Sequence, residues 1–276
     1  MSARVPYRFV KVSPGGNTTI LVMDPPAMSS RQRAEVAARL MDPLHLGAEQ
    51  VGFVNTTSAI PRLDMMGGEF CGNAARSAAL VLAMSGHPAM TEHDGLHTGR
   101  IEVSGADSPL DVYARIGGNP TAGIDIPLPA AGLSRHALGI HVARLDGITH
   151  VLLDEASSPF PENYAAYAAT IRADLGLTQC EAAGCIWYSR EKDGASIRPV
   201  VWVRETDTTY YETACGSGTV ALALLMAANG HAGTVSVRQP SGSHIAATIR
   251  PNAAGSPESA RIDGPVAIIA TGTTYA

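Results

Sequence analysis

Two short stretches of this chain hold residue types that could do chemistry: E-F-C-G-N-A-A at 69–75 and E-T-A-C-G-S-G-T at 212–219. Each sets a cysteine before glycine and a small polar residue, and each leads into a helix-like run. A thiol in the first turn of a helix meets unpaired backbone N–H groups and the positive end of the dipole, which favour thiolate. The pairs Gly72-Asn73 and Gly216-Ser217 present further N–H groups with little bulk, so two such helix starts can cradle a carboxylate. With one thiol on either side of an α-carbon, one thiolate removes a proton and the opposite thiol delivers another. Cys71 and Cys215 lie 144 residues apart in a chain of 276. That spacing, close to half the chain, predicts two similar halves that each supply one thiol to a shared site.

Blander readings exist for each motif. A single Cys-Gly-X before a helix is most often a packing choice. Packing has no need to repeat cysteine, glycine and a polar residue together, and the doubling favours chemistry. A Cys71–Cys215 disulfide is disfavoured by the cytoplasmic address argued below. A Cys–His hydrolase would leave the second motif unexplained. Cys180 and Cys185 are too loosely spaced for a zinc knuckle and read as small buried or half-buried side chains.

Composition narrows the classes. At 45% hydrophobic and 16% charged the chain is globular. A net charge of −5 argues against nucleic acid or an anionic membrane as partner. No apolar run is long enough to span a bilayer, and the start M-S-A-R-V-P-Y-R-F-V-K-V reads as a strand and not as a signal peptide. A cytoplasmic location is expected. Only Lys11 and Lys192 are lysines. Neither sits where a pyridoxal-phosphate Schiff base would, so no cofactor is expected. Beyond His150, the histidines (45, 87, 93, 97, 136, 141, 231 and 244) show no metal-ligand spacing, and no metal site is expected.

The elements that must position the thiols follow from pattern. Tyr7–Val12 and T-T-I-L-V-M read as strands around the break S-P-G-G-N, and Ser29–Leu40 reads as a capped amphipathic helix. Short strands lead to Cys71 and the small-residue helix N-A-A-R-S-A-A-L-V-L-A. The pattern restarts with H-V-L-L-D, a helix over about 163–175, C-I-W-Y-S and R-P-V-V-W-V-R. After Cys215 a helix V-A-L-A-L-L-M-A-A-N closes at Gly230. The turn-rich G-G-N-P-T-A-G at 117–123 is the expected boundary between halves. An α+β chain is predicted, each half a mostly antiparallel sheet around a central helix. Trp187 and Trp202 are expected in the core, and Asp64 and Arg76 on the surface or a helix face.

Taken together, P-G-G-N17, L-G-A-E49-Q50-V, C71-G-N-A, A-C215-G-S-G and Q-P-S-G resemble the motifs of diaminopimelate epimerase and its cofactor-independent relatives along nearly the whole chain. The resemblance implies two pseudo-symmetric domains, residues 1–118 and 119–264, with the last strand (about 265–276) returning to the first and the site in the cleft between them. It implies Cys71 and Cys215 as catalytic thiols. It also implies that Asn17, Gln50, Asn73 and the backbone of Gly72, Gly216 and Ser217 bind substrate, and that the protein is a homodimer.

Departures from that family bear on the substrate. Its glutamate-arginine pair before the second cysteine motif, which meets the amino group and a distal carboxylate, becomes Glu205-Thr206. Arg204 would point to the opposite face of a strand. Its G-N-P-H becomes Gly147-Ile148-Thr149-His150. Threonine cannot replace a bidentate arginine, so a substrate with one amino-acid end is expected. Within the family, G-N17-T-T-I-L-V, E49-Q-V-G-F, E69-F-C-G-N-A, Glu212 and C-G-S-G-T look most like the histidine racemases of opine-metallophore (staphylopine-type) biosynthesis. That likeness implies interconversion of L- and D-histidine, with Glu205 on the α-ammonium and Glu49, His150 and Glu212 as candidates to orient the rest. Racemisation of 2,4-diaminobutyrate or diaminopimelate stays open, as does a phenazine-biosynthesis-type relative of the same fold, which lacks the cysteine pair.

Overall fold

A computed structural model describes residues 5–128, 132–136, 139–192, 194–204 and 207–276. The chain forms two compact units, one of residues 1–124 and 263–276, the other of 125–262. The turn-rich 117–123 stretch runs straight into a strand, and the division falls at Ile124/Asp125.

In the first unit the strands are β1 (Pro6–Pro14), β2 (Thr19–Met23), β3 (Gln50–Asn55), β4 (Arg62–Met65), β5 (Met90–His93), β6 (Leu96–Val103), β7 (Leu110–Arg115) and β8 (Thr121–Pro127). The final strand of the chain, Pro257–Tyr275, pairs antiparallel with β1 through its second half. Pairing runs antiparallel β1–β2, parallel β2–β3, antiparallel β3–β4, parallel β4–β6, then antiparallel β6–β7–β8. Val266 N–H donates to the carbonyl of Pro120 at 3.1 Å, joining β8 back to the final strand. Eight strands thus close a ring.

Helix α2 (Gly72–Met84) is buried from Asn73 to Ala83. Its alanine-rich sequence explains how: side chains this small let a helix be enclosed on all sides without overpacking. Helix α1 (Ser30–Met41) is different in kind. Only Val36, Ala37 and Leu40 are buried, packed with Phe9, Ile20 and Phe53, and Ser29 with Gln32 forms a capping box at its start.

The second unit repeats that order with its own residues. Strands β9 (Leu133–Arg135), β10 (His141–Leu145) and β11 (Ile148–Asp154) pair antiparallel. Helix α3 (Tyr164–Asp174) leads to β12 (Ala182–Glu191), parallel to β11 and antiparallel to β13 (Gly194–Val203). After β14 (Thr208–Tyr211) comes α4 (Gly216–Ala228), then β15 (Thr234–Arg238), parallel to β13, and β16 (His244–Pro251). Antiparallel pairs outnumber parallel ones in both units, as a chain of hairpins joined by helical crossovers requires.

Like α2, helix α4 is buried through most of its length, and from Val220 on it is wholly apolar. It ends at Asn229 with Gly230 at φ +86°, a left-handed position that suits glycine. Trp187 and Trp202 are core residues beneath α3. Among the described residues no helix is long and apolar enough to cross a membrane.

Candidate active site

Both cysteines are helix N-caps. Cys71 has φ −135° and ψ 106°, and its Sγ accepts the N–H of Ala74 at 3.4 Å. Cys215 has φ −126° and ψ 107°, and its Sγ accepts the N–H of Gly218 at 3.3 Å. A thiol thus occupies the place that a serine or aspartate oxygen usually takes, at the end of the helix where N–H groups converge.

Around Cys71 the first unit assembles a chain of amides. The thiol donates to Gln50 Oε1 at 3.2 Å. Gln50 Nε2 donates to Asn17 Oδ1 (2.6 Å) and to Thr19 Oγ1 (3.0 Å), which leaves its carbonyl oxygen as the end that faces the sulfur. Asn17 Nδ2 in turn donates to the carboxylate of Glu49 at 3.2 Å, and the N–H of Thr18 donates to the other Glu49 oxygen. Asn17, Glu49, Gln50, Cys71, Gly72 and Asn73 are therefore one cluster. Gln50 touches the thiol directly, a role its type alone did not specify.

Arg76 corrects an expectation. It is fully buried, not a surface charge. Its Nε donates to Asn73 Oδ1 at 3.2 Å, and one terminal nitrogen donates to the carbonyls of Gly264 (3.0 Å) and Pro265 (3.1 Å). Burial lowers its pKa to about 10, while the charges of Cys71 and Asp263 act the other way, so it stays a cation at neutral pH. Its signal in the sequence was its setting: in A-A-R-S-A-A-L-V-L-A no polar face exists for it to lie on. Asp64, by contrast, is a half-exposed strand residue paired with Arg62.

Around Cys215 the surroundings are drier. The sulfur is buried, and burial together with the charge and hydrogen-bonding of Glu212 pushes its pKa well above the ordinary thiol value. Ser217 and the Gly218 N–H oppose that shift. Ser217 Oγ lies 3.5 Å from Cys215 Sγ and 2.9 Å from His150 Nε2. His150 is completely buried, and burial lowers its pKa to about 3, so the ring is neutral. It pairs across β11–β12 with Gly184, where a side chain would collide with its Nδ1. Only glycine there lets the imidazole lie against the strand.

The second unit thus brings His150, Glu212, Cys215, Gly216 and Ser217 together. Glu205 and Thr206 lie outside the described residues. One positioning residue carries no local signal in the sequence. Gln239 accepts the N–H of Cys215 at 2.9 Å and donates to Thr219 Oγ1 at 3.0 Å, holding the start of α4 from outside the helix. It is the first residue of Q-P-S-G, a segment whose plainest feature is its glycine turn. Cys180 and Cys185 are in no disulfide, and are half-buried and buried.

The family model described as the histidine racemase CntK N-terminal domain matches residues 7–275. The chain belongs to that family. A histidine racemase of Fusobacterium nucleatum subsp. nucleatum is 30% identical over 97% of this chain and 96% of its own length. A histidine racemase of Staphylococcus aureus is 25% identical, with 97% of each chain covered. This member of the CntK family is accordingly an isomerase, a racemase.

Solved structures show the fold. A hydroxyproline epimerase from Agrobacterium vitis, with bound trans-4-OH-L-proline, matches with a TM-score of 0.68 at 10% identity, covering 100% of this chain and 92% of that one. A phenazine biosynthesis protein of the PhzF family from Bacillus anthracis matches with a TM-score of 0.68 at 12% identity, covering 99% of both. The CntK-family chain therefore has the mixed α and β architecture of the proline racemase and PhzF isomerases.

Proposed function

We propose that this racemase interconverts L- and D-histidine through two thiols, Cys71 and Cys215, without a cofactor. The observation that carries the reading is the repeated N-cap: each cysteine receives a backbone N–H three residues on, at the start of a buried helix. In each direction one thiolate takes the α-proton and becomes a thiol. Negative charge passes onto the substrate carboxylate, where helix N-terminal N–H groups stabilise it. The other thiol then gives its proton to the opposite face of the α-carbon and becomes the thiolate. Each turnover leaves the two cysteines with exchanged protonation states. Asn73 and the N–H groups near Gly72, Gly216 and Ser217 hold the carboxylate, and Glu205 the α-ammonium. Asn17, Glu49, Gln50, His150 and Glu212 complete the binding groups.

The curated relatives are histidine racemases, which supports histidine over 2,4-diaminobutyrate and diaminopimelate. Retention of both N-cap cysteines supports a racemase over a phenazine-type relative. The recurring order of strands and helices in the two units supports a diaminopimelate epimerase-like pair of domains. The reading extends to a cytoplasmic homodimer that supplies D-histidine for an opine-type metallophore.

The test is to incubate the pure protein with each of the three amino acids in deuterated water, following α-deuterium incorporation and optical rotation. Histidine is expected to exchange fastest. Faster exchange into diaminopimelate would overturn the substrate assignment.

A further inference from the structure

Arg76 has no part in the chemistry proposed above, and its position is costly. A guanidinium taken wholly out of water loses much of its solvation unless its surroundings restore it. Its hydrogen bonds are to one side-chain amide and two backbone carbonyls, all uncharged. The remaining terminal nitrogen is buried with no hydrogen-bond partner among the described residues. The charged groups that act on it are Asp263 and Cys71 itself, five residues earlier at the start of the same helix.

Two consequences follow from the geometry. A guanidinium nitrogen can only donate, so the atom of Asn73 that faces Arg76 Nε has to be the carbonyl oxygen. That bond settles the orientation of the Asn73 amide and turns its NH2 group away from Arg76. The second consequence is electrostatic. A fixed positive charge behind the start of α2, in a dry interior, adds to the helix dipole and attracts an anion at the N-cap more strongly than it would in water.

We propose that Arg76 is a positioning residue for the Cys71 half of the reaction: it sets the Asn73 amide with its donor end outward and stabilises the thiolate of Cys71. This rests on the reading of Cys71 as an acid/base group. The two parts separate by substitution. Arg76→Gln removes the charge, whereas Arg76→Lys keeps a charge in similar space but loses the planar fork that fixes Asn73.

The experiment measures the rate of alkylation of Cys71 by iodoacetamide against pH, in a Cys215→Ala background, together with kcat and KM for histidine in the two-thiol protein. Alkylation follows the thiolate, so its half-maximal pH reports the charge that Cys71 senses. Glu49, Glu69 and Asp263 are unchanged in every variant.

Arg76→Gln is expected to move that midpoint upward by about one pH unit and to lower kcat about tenfold or more. Arg76→Lys is expected to leave the midpoint within a few tenths of wild type while raising KM, since Asn73 is then free to turn. A structural role alone would lower the melting temperature and leave the alkylation midpoint in place. Should Arg76→Gln fail to accumulate as folded protein, Arg76→Lys decides: wild-type KM and kcat would overturn the amide-setting role. An unmoved midpoint and kcat in folded Arg76→Gln would overturn the electrostatic one. If instead Cys71→Ala keeps full activity, the two-thiol reading itself fails, an outcome distinct from either.

Discussion

The two cysteine-capped helix starts share a backbone and differ in almost everything around it. Cys71 and Cys215 have nearly the same φ and ψ, and each sulfur accepts the N–H three residues on. Beyond that, Cys71 is half-buried against a neutral amide, with a buried cation on the next turn of its helix. Cys215 is buried beside Glu212 and a neutral imidazole relayed by Ser217. The cation favours thiolate at the first position; burial and the carboxylate favour thiol at the second. An acid–base pair needs one thiol and one thiolate at the start of each turnover, and the two exchange those states as it proceeds; unlike surroundings bias which sulfur begins as the base. The asymmetry lies in the shells, and the symmetry in the helix ends.

The largest effect should come from removing either sulfur. Cys71→Ala and Cys215→Ala are each expected to lower racemisation by about a thousandfold or more, with far-ultraviolet circular dichroism unchanged. Cys→Ser variants should keep a trace at most, because a hydroxyl is a much weaker acid than a thiol. Near-normal optical-rotation kinetics in either alanine variant would break the comparison at its root.

Acid should then tell the units apart. His150 folds neutral with a pKa of about 3, against an ordinary value of 6.5. Between those values the unfolded chain binds a proton that the folded chain refuses. Stability contributed by the buried ring is present above about pH 6.5 and is lost as pH falls toward 3, by at most about 5 kcal/mol. Denaturant titrations at pH 7 and pH 4.5 should show a marked fall for wild type and a smaller one for His150→Gln. Equal falls in the two proteins would remove the buried histidine as a cause.

A smaller effect sharpens the comparison at the residue that caps each sulfur. A methyl group at Gly218 would lie 2.8 Å from Ile186 Cδ1 and 3.2 Å from Cys215 Sγ, whereas the matching residue in the first unit is already Ala74. Gly218→Ala is expected to keep stability within about 1 kcal/mol, because helix propensity gained offsets crowding, and to lower kcat about tenfold by displacing the sulfur. Ala74→Gly should do the reverse, costing about 1 kcal/mol in a melt while leaving turnover within about twofold. Equal kinetic effects from the two changes would mean that the sulfurs tolerate displacement alike.

Much of this was legible in the residues themselves. The spacing of Cys71 and Cys215, the glycines after them, the capping signal at Ser29 and the closing Gly230 are local patterns, readable because each acts within a turn or two of its own position. Glu212 lies three residues before its cysteine and is read in the same way, whereas His150 reaches Ser217 across 67 residues of chain. What the sequence did not disclose depends on pairings between distant segments. Arg76 read as a helix-face charge until strands from both ends of the first unit enclosed α2 and brought Gly264 and Pro265 to it. Gln50 reads as a substrate contact from its motif, and only the placement of β3 adds the bond between its amide and Cys71. Gln239 lies 24 residues beyond the thiol it supports. Helix starts and candidate nucleophiles are properties of short sequence. The protonation of each thiol is set by burial and by neighbouring charges, and those exist only once the strands have closed around the helices.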